Sequence, residues 1–261
     1  MGRGSSTITC TTKAKGGKGA NYVMSLLFHF LRHRTHEAAA IVMHLHADNC
    51  RGQNTNNLVM QFFVFLVSLG LLTHVEMKFL IKGHTHCSVD GGHGMIKKAW
   101  RKHDVFTLEQ AAHLVEATSP TAGIHRAVCV TARHFFDWER LLSAYFGKLP
   151  KILSFQQFEM DATRPGILRY RVHHTESWQE TCIFKADIER LPVEFSSFDA
   201  IQQILARLSP PGIPVKKQHV LYKKVRKYVP TEYQDLICPR PTDYQEEGAE
   251  SEDIVPIESN T

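Results

Sequence analysis

Apolar residues recur at helical spacing early in the chain. Val23, Leu26, Leu27, Phe30 and Leu31 fall at i, i+3, i+4, i+7 and i+8, which predicts a helix from Asn21 with one face on a core. Before it, Ser5 to Thr12 is β-branched and suits a short strand, and the Gly-rich stretch Ala14 to Asn21 reads as a connection. Ala38 to Ala47 is nearly continuous in apolar residues and predicts a strand inside a sheet covered on both faces. Side chains alternate along it, so His44, His46 and Asp48 point one way and Met43, Leu45 and Ala47 the other. Asn49 to Asn54 supplies a turn, and Leu58 to Leu69 is apolar all round, as in a helix sandwiched between layers. Gly70 to Thr73 breaks that helix and Val75 to Ile81 predicts a second strand.

Downstream, GHTHCSVDGGHG (Gly83 to Gly94) reads as a polar loop whose acid caps a helix over Met95 to Lys102. Thr107 and Gln110 form a capping box for a helix through Val115. Asp137 caps another, with the stripe Trp138, Leu141, Leu142, Tyr145 and Phe146. Ala127 to Thr131, Ile152 to Met160, Ile167 to His173 and Glu180 to Lys185 read as strands, the later ones antiparallel. Ser196 and Asp199 open a last helix presenting Ile201, Ile204, Leu205 and Leu208. The fold class is α/β, a mixed sheet flanked by helices with additional strands.

Composition narrows the setting. The chain has 261 residues, 43% of them hydrophobic, enough to bury a sizeable core. Its net charge of +5 permits a nucleic-acid partner without demanding one. The six cysteines form no C-x-x-C pair, and MGRGSSTITC at the start is polar, so an intracellular protein, nuclear or cytoplasmic and not secreted, is expected. Leu58 to Leu72 is too short for a membrane span of roughly 30 Å. The glycines of Ala14 to Asn21 lack the phosphate-loop pattern G-x-x-x-x-G-K-[ST]. SPPGIP (Ser209 to Pro214) reads as a linker, so residues 1–16 form an N-terminal strand and linker, 17–208 the domain, and 209–261 a tail that is first basic and then acidic and largely disordered. Lys216, Lys217, Lys223 and Lys224 there, with Lys97, Lys98 and Arg101 in the domain, are the candidate nucleic-acid contacts.

The chemistry concentrates in His44 to Asn57, HLHADNCRGQNTNN. Helix, strand, acid, helix, strand, loop with acid, helix is the order of the second half of a ribonuclease-H-like fold. That fold clamps two Mg2+ or Mn2+ ions about 4 Å apart with carboxylates converging at strand ends, for in-line phosphoryl displacement. Asp48 and Asp90 occupy such positions. The structural alternative is that Asp48 closes an Asx-type turn and Asp90 caps a helix.

Four stretches, GKGANYVMSLL (Gly17 to Leu27), LHADNCRGQNTNN (Leu45 to Asn57), KFLIKGHTHCSVDGGHGMIKK (Lys78 to Lys98) and DWERLLSAYFGKLPKI (Asp137 to Ile152), resemble in that order domain of unknown function 7869. That family looks like a transposon-derived ribonuclease-H-like domain of the DDE integrase and transposase type, and the resemblance covers roughly residues 15 to 208. It implies that Asp48 is the second and Asp90 the third of three catalytic acids, with His46, Asn49, Gln53, Asn54, His84 and Thr85 as motif neighbours. The first acid is expected upstream, and Met1 to Gly17 holds none; His93 stands where the family pattern has an aromatic residue. A truncated, catalytically incomplete remnant that binds DNA is therefore expected, and an active metal-dependent nuclease or transposase is the alternative. Two other readings stay open. GHTH (Gly83 to His86) also closes the motif set of calcineurin-like metallophosphoesterases, whose partner motifs are missing from the sequence. A zinc site is the second, drawn from His44, His46, Cys50, His84, His86, Cys87 and His93.

Overall fold

A computed structural model of the chain describes residues 6–10, 19–34, 41–80, 88–118, 125–241 and 243. It divides into two compact units, residues 1–212 and 213–261.

The first unit is built on a five-stranded mixed sheet in the order β2-β3-β5-β6-β7, with β2 (Val42–Ala47), β3 (His74–Phe79), β5 (Gln157–Asp161), β6 (Ile167–Arg171) and β7 (Gln179–Cys182). β2 and β3 are parallel and the remaining pairs antiparallel. The connection from β2 to β3 is α2 (Asn57–Ser68), as a parallel pair requires a crossover. Nine of its residues, Val59 to Val67, are buried. The helix packs on β3, β5 and β6 and also against α1 (Ala20–Arg34) and α5 (Trp138–Tyr145), so it is apolar all round because it lies between two layers.

α1 buries Met24, Phe28 and Leu31, whereas Phe30, assigned to the core stripe by spacing, is 37% exposed. The helix carries apolar residues in more than one phase, and the aromatic cluster decides between them: Phe28 lies 5.0 Å from Trp138 and 5.4 Å from Phe198, centroid to centroid. Trp138 in turn lies edge-on to Phe62 of α2 at 4.8 Å.

β1 (Ser6–Cys10) and β4 (His125–Cys129) pair in parallel as a separate two-stranded sheet. Beside β4 lies α4 (Leu108–Ala117), which in turn contacts α3 (Ser88–Trp100). The capping box of Thr107 and Gln110 and the Asp137 cap on α5 both form. The last helix of this unit, α6 (Phe198–Ile204), is capped by Ser197 through Ala200 N–H at 3.1 Å, one residue later than the spacing predicts.

Three expectations change with the structure. Among the described strands β2 lies at the edge of its sheet; its residues alternate exposed and half-buried, and Val42, His44 and His46 are on the exposed side. α3 begins at Ser88, so Asp90 lies in its first turn and Gly91, Gly92 and Gly94 are helical. Ile152 to Ser154 is a 3-10 turn, and the strand starts only at Gln157.

The second unit is helical where described: α7 (Val215–Val220) runs into a π-helical segment at Leu221–Val225, a 3-10 turn at Arg226–Tyr228 and α8 (Thr231–Ile237). Arg226 holds it together, pairing with Asp235 at 2.7 Å and donating to the Cys238 carbonyl at 2.7 Å. The acidic stretch Glu246 to Glu258 lies outside the described residues. No described helix is long and apolar enough to cross a membrane.

Candidate functional site

Asp48 follows the last residue of β2, where Ala47 sits opposite Phe79 and its carbonyl accepts the Leu80 N–H at 2.9 Å. Its carboxylate is exposed and accepts a hydrogen bond from the side-chain amide of Asn54 at 2.5 Å. The turn between them is wound on one carbonyl: Cys50 O accepts the N–H groups of Gln53, Asn54 and Thr55 at 3.1, 2.8 and 3.2 Å. Thr55 is fully buried and donates to Asn49 Oδ1 at 2.8 Å.

The rest of the motif begins α2. Asn56 Oδ1 accepts the Val59 N–H at 3.1 Å as the N-cap, satisfying one of the donors that a helix start leaves open. Asn57 makes a two-way contact with Leu149, accepting its N–H at 2.7 Å and donating to its carbonyl at 3.3 Å. One turn on, Gln61 donates to Gly147 O at 2.7 Å. The motif thus joins the strand end, the helix start and the segment after α5 into one hydrogen-bonded corner. The polar run is plain in the sequence, but sequence reasoning misses the individual tasks of Thr55, Asn56 and Asn57. An Asn before an apolar run is a cap signal, whereas the partners of Asn57 and Gln61 lie 92 and 86 residues away.

His44 and His46 lie on the open face of the sheet. His44 Nδ1 meets Glu76 Oε2 at 3.0 Å, and Lys78 Nζ reaches the other oxygen at 2.8 Å. Those hydrogen bonds, Lys78 first and His44 after it, outweigh desolvation and hold the Glu76 carboxyl below its ordinary range. In register, His44 stands opposite Glu76, Glu76 opposite Glu159, Glu159 opposite Arg169 and Arg169 opposite Glu180, a polar row across all five strands. Arg169 bonds Glu159 at 2.9 Å, and its guanidinium and that of Arg171 lie 5.2 and 4.2 Å from the Trp178 ring centroid. Cross-strand pairing therefore accounts for His44.

Asp90 and His93 are exposed on α3, and a Cβ built on Gly92 would lie 3.8 Å from His125 Nε2, so this point of the helix approaches the start of β4. His84, Thr85, His86 and Cys87 lie outside the described residues. Among the described residues no three His, Cys, Asp or Glu side chains group so as to hold a metal ion. Asp48, Asp90, His44, His46 and Cys50 are thus not assembled as one ligand set. Among the described residues, the side chain that bonds the Asp48 carboxylate is the Asn54 amide, and no group of three His, Cys, Asp or Glu side chains provides a clamp of hard oxygen ligands. A surface depression of about 550 Å³ lies elsewhere, lined by residues of α4 and the preceding turn, including His103, Asp104, Glu109 and His113.

The candidate cationic contacts are all on the surface. Lys97 and Lys98 occupy the last turn of α3 and Arg101 follows it; Lys216 and Lys217 lie on α7, and Lys223 and Lys224 on the π-helical segment.

No curated protein and no solved structure matches the chain. One family model does, over residues 2–177, more than half of the sequence; its description is Domain of unknown function (DUF7869). All four resembling stretches lie inside that match, which stops short of residue 208.

Proposed function

This chain belongs to the DUF7869 family, and from that premise we propose that it is a transposon-derived ribonuclease-H-like domain that binds nucleic acid without cutting it. The observation that carries the reading is the placement of Asp48: an acid at the carboxyl end of a strand, in a strand-helix-strand unit whose two strands are parallel, with a second acid, Asp90, in the first turn of the next helix. In open α/β sheets ligands bind beyond such strand ends.

Catalysis is left out because, among the described residues, the Asp48 carboxylate is bonded by the Asn54 amide and no further carboxylates group with it, as a two-metal centre needs. Binding is kept because exposed cations stand on both units, Lys97, Lys98 and Arg101 on one and Lys216, Lys217, Lys223 and Lys224 on the other. Phosphate contacts by such side chains release counterions and need no intact active site.

The full chain, incubated with labelled single- and double-stranded DNA and Mg2+ or Mn2+, is expected to leave the strands uncut and to retain them on a filter with an affinity that falls as salt rises. Metal-dependent cleavage or joining that Asp48→Asn abolishes would overturn the non-catalytic half. Failure to retain either DNA at low salt would remove the binding half.

A further inference from the structure

Three histidines outside the strand-end corner form a cluster. His29 and His33 are one turn apart on α1, their ring centroids 4.5 Å apart, and the His134 ring lies 4.8 Å from His29. His134 sits on a 3-10 turn over Ala132–His134. That turn is held to the segment after α6 by a bridge between Phe136 and Arg207 and by hydrogen bonds from Leu208 N to Phe135 O and from Asp137 N to Ala206 O. The bridge brings Arg207 to the cluster, and Arg133 comes from the turn itself. Arg133, Arg207 and His33 are exposed, while His29 and His134 are half-buried.

Among the described residues, the charges facing these rings share one sign. Arg32 and His33 face His29 from α1; Arg133, His33 and Arg207 face His134. Asp199 of α6 is engaged by Arg32 at 2.6 Å. Three imidazoles at this separation invite comparison with a transition-metal site. Three guanidiniums around them oppose a cation, and no three-ligand metal group forms among the described residues. The same surroundings favour an anion with several acceptor oxygens, because arginine matches phosphate in geometry and imidazolium adds further donors.

We propose that His29, His33 and His134, together with Arg133 and Arg207, form a phosphate-binding site whose affinity rises as His29 and His134 take up protons. Without ligand, burial first and then repulsion from His134, His33 and Arg32 push His29 down to about 4, and burial lowers His134 against the support of its Thr131 backbone hydrogen bond. His134 Nδ1 lies 3.0 and 3.1 Å from the Thr131 N–H and hydroxyl and 3.2 Å from the Thr131 carbonyl, which accepts from the ring once Nδ1 is protonated, so Nε2 is the nitrogen left to reach a ligand. A phosphate between the rings reverses the sign of the local field. It raises both pKa values, and by linkage its binding draws in protons below the ordinary histidine range. The ligand is defined by its phosphate group; a phosphodiester backbone and free phosphate both present it. The inference goes beyond the strand-end reading, since the inorganic phosphate arm below stands whether or not the domain binds nucleic acid.

Histidine side-chain NMR of the full chain tests it, titrated between about pH 4 and pH 8 at constant ionic strength in chloride, acetate, inorganic phosphate or a short single-stranded oligonucleotide. Phosphate or oligonucleotide is expected to raise the His29 and His134 midpoints by about one unit, a tenfold gain in affinity for the protonated form. Acetate is expected to leave them near their chloride values. Arg133→Gln, an exposed substitution, is expected to raise the ligand-free His134 midpoint by removing repulsion and to shrink the phosphate-induced shift; Arg207→Gln serves as a second, independent variant. A shift with oligonucleotide alone assigns the site to backbone phosphodiesters, and a shift with inorganic phosphate alone assigns it to a free phosphate. Midpoints unmoved by either, or moved equally by acetate, would overturn the proposal.

Discussion

Ser25 is a small polar residue on the core-facing side of α1, and it is fully buried. Its hydroxyl donates to Asn21 O at 2.7 Å and accepts from Phe136 N–H at 3.0 Å and Trp138 Nε1–H at 3.2 Å. Ser25→Ala keeps the volume and orphans two buried donors, each costing about 1–3 kcal/mol, so a loss of roughly 2–4 kcal/mol in denaturant-unfolding stability is expected. The sequence shows only a serine between apolar neighbours, because its two partners lie 111 and 113 residues away. His29 is equally silent in sequence, and it carries a pH dependence. Its folded pKa, about 4, is below the ordinary 6.5, so between those values the unfolded chain binds a proton that the native chain resists. Stability is therefore level above about pH 6.5 and falls as pH drops towards 4. His29→Gln is expected to flatten that slope by roughly 1–2 kcal/mol after solvent screening, measured as unfolding free energy at a series of pH values. A slope unchanged by the substitution would remove His29 as its source.

Elements are legible in the sequence where one signal governs them. α2 is readable because apolar residues on every side admit only a helix between two layers, and α4 and α5 because their caps are written in adjacent residues. β2 misleads in its surroundings: an apolar run fits a strand covered on both faces, yet whether a strand is central or at an edge depends on what pairs beside it, which no local pattern contains. α3 starts earlier than its sequence suggests because Gly91, Gly92 and Gly94 resemble a loop, although the helix passes through them. The corner after β2 shows the same division. Asn56 acts locally, capping its own helix and donating to the Arg51 carbonyl at 3.3 Å, so Asn56→Ala is expected to cost about 1 kcal/mol. Asn57→Ala is expected to cost more, roughly 1–3 kcal/mol, because it unpairs the Leu149 N–H as well as breaking the second bond. Thermal unfolding of the two variants side by side checks the order; an equal or smaller effect at Asn57 would mean that the segment at Leu149 relaxes at no cost.

At the scale of the whole molecule, the hydrophobic cluster draws its buried members from Met24 to Leu205, and the second unit begins at Ile213. Ser209 to Gly212, with two prolines and a glycine at φ +67°, joins the units. A chain ending at Gly212 keeps every member of that cluster, so it is expected to unfold cooperatively with a melting temperature within about 2 °C of the full chain, the change produced by well under 1 kcal/mol. It loses Lys216, Lys217, Lys223 and Lys224 but keeps Lys97, Lys98 and Arg101. If both groups touch phosphates, the slope of log affinity against log salt for DNA shrinks on truncation by about 0.7–0.9 for each phosphate no longer neutralised and does not vanish. An unchanged slope would place all of the nucleic-acid binding on the first unit, and complete loss of binding by a chain that still melts as before would place it on the second. The two results separate stability from recognition because the cluster that holds the fold and the lysines removed belong to different units.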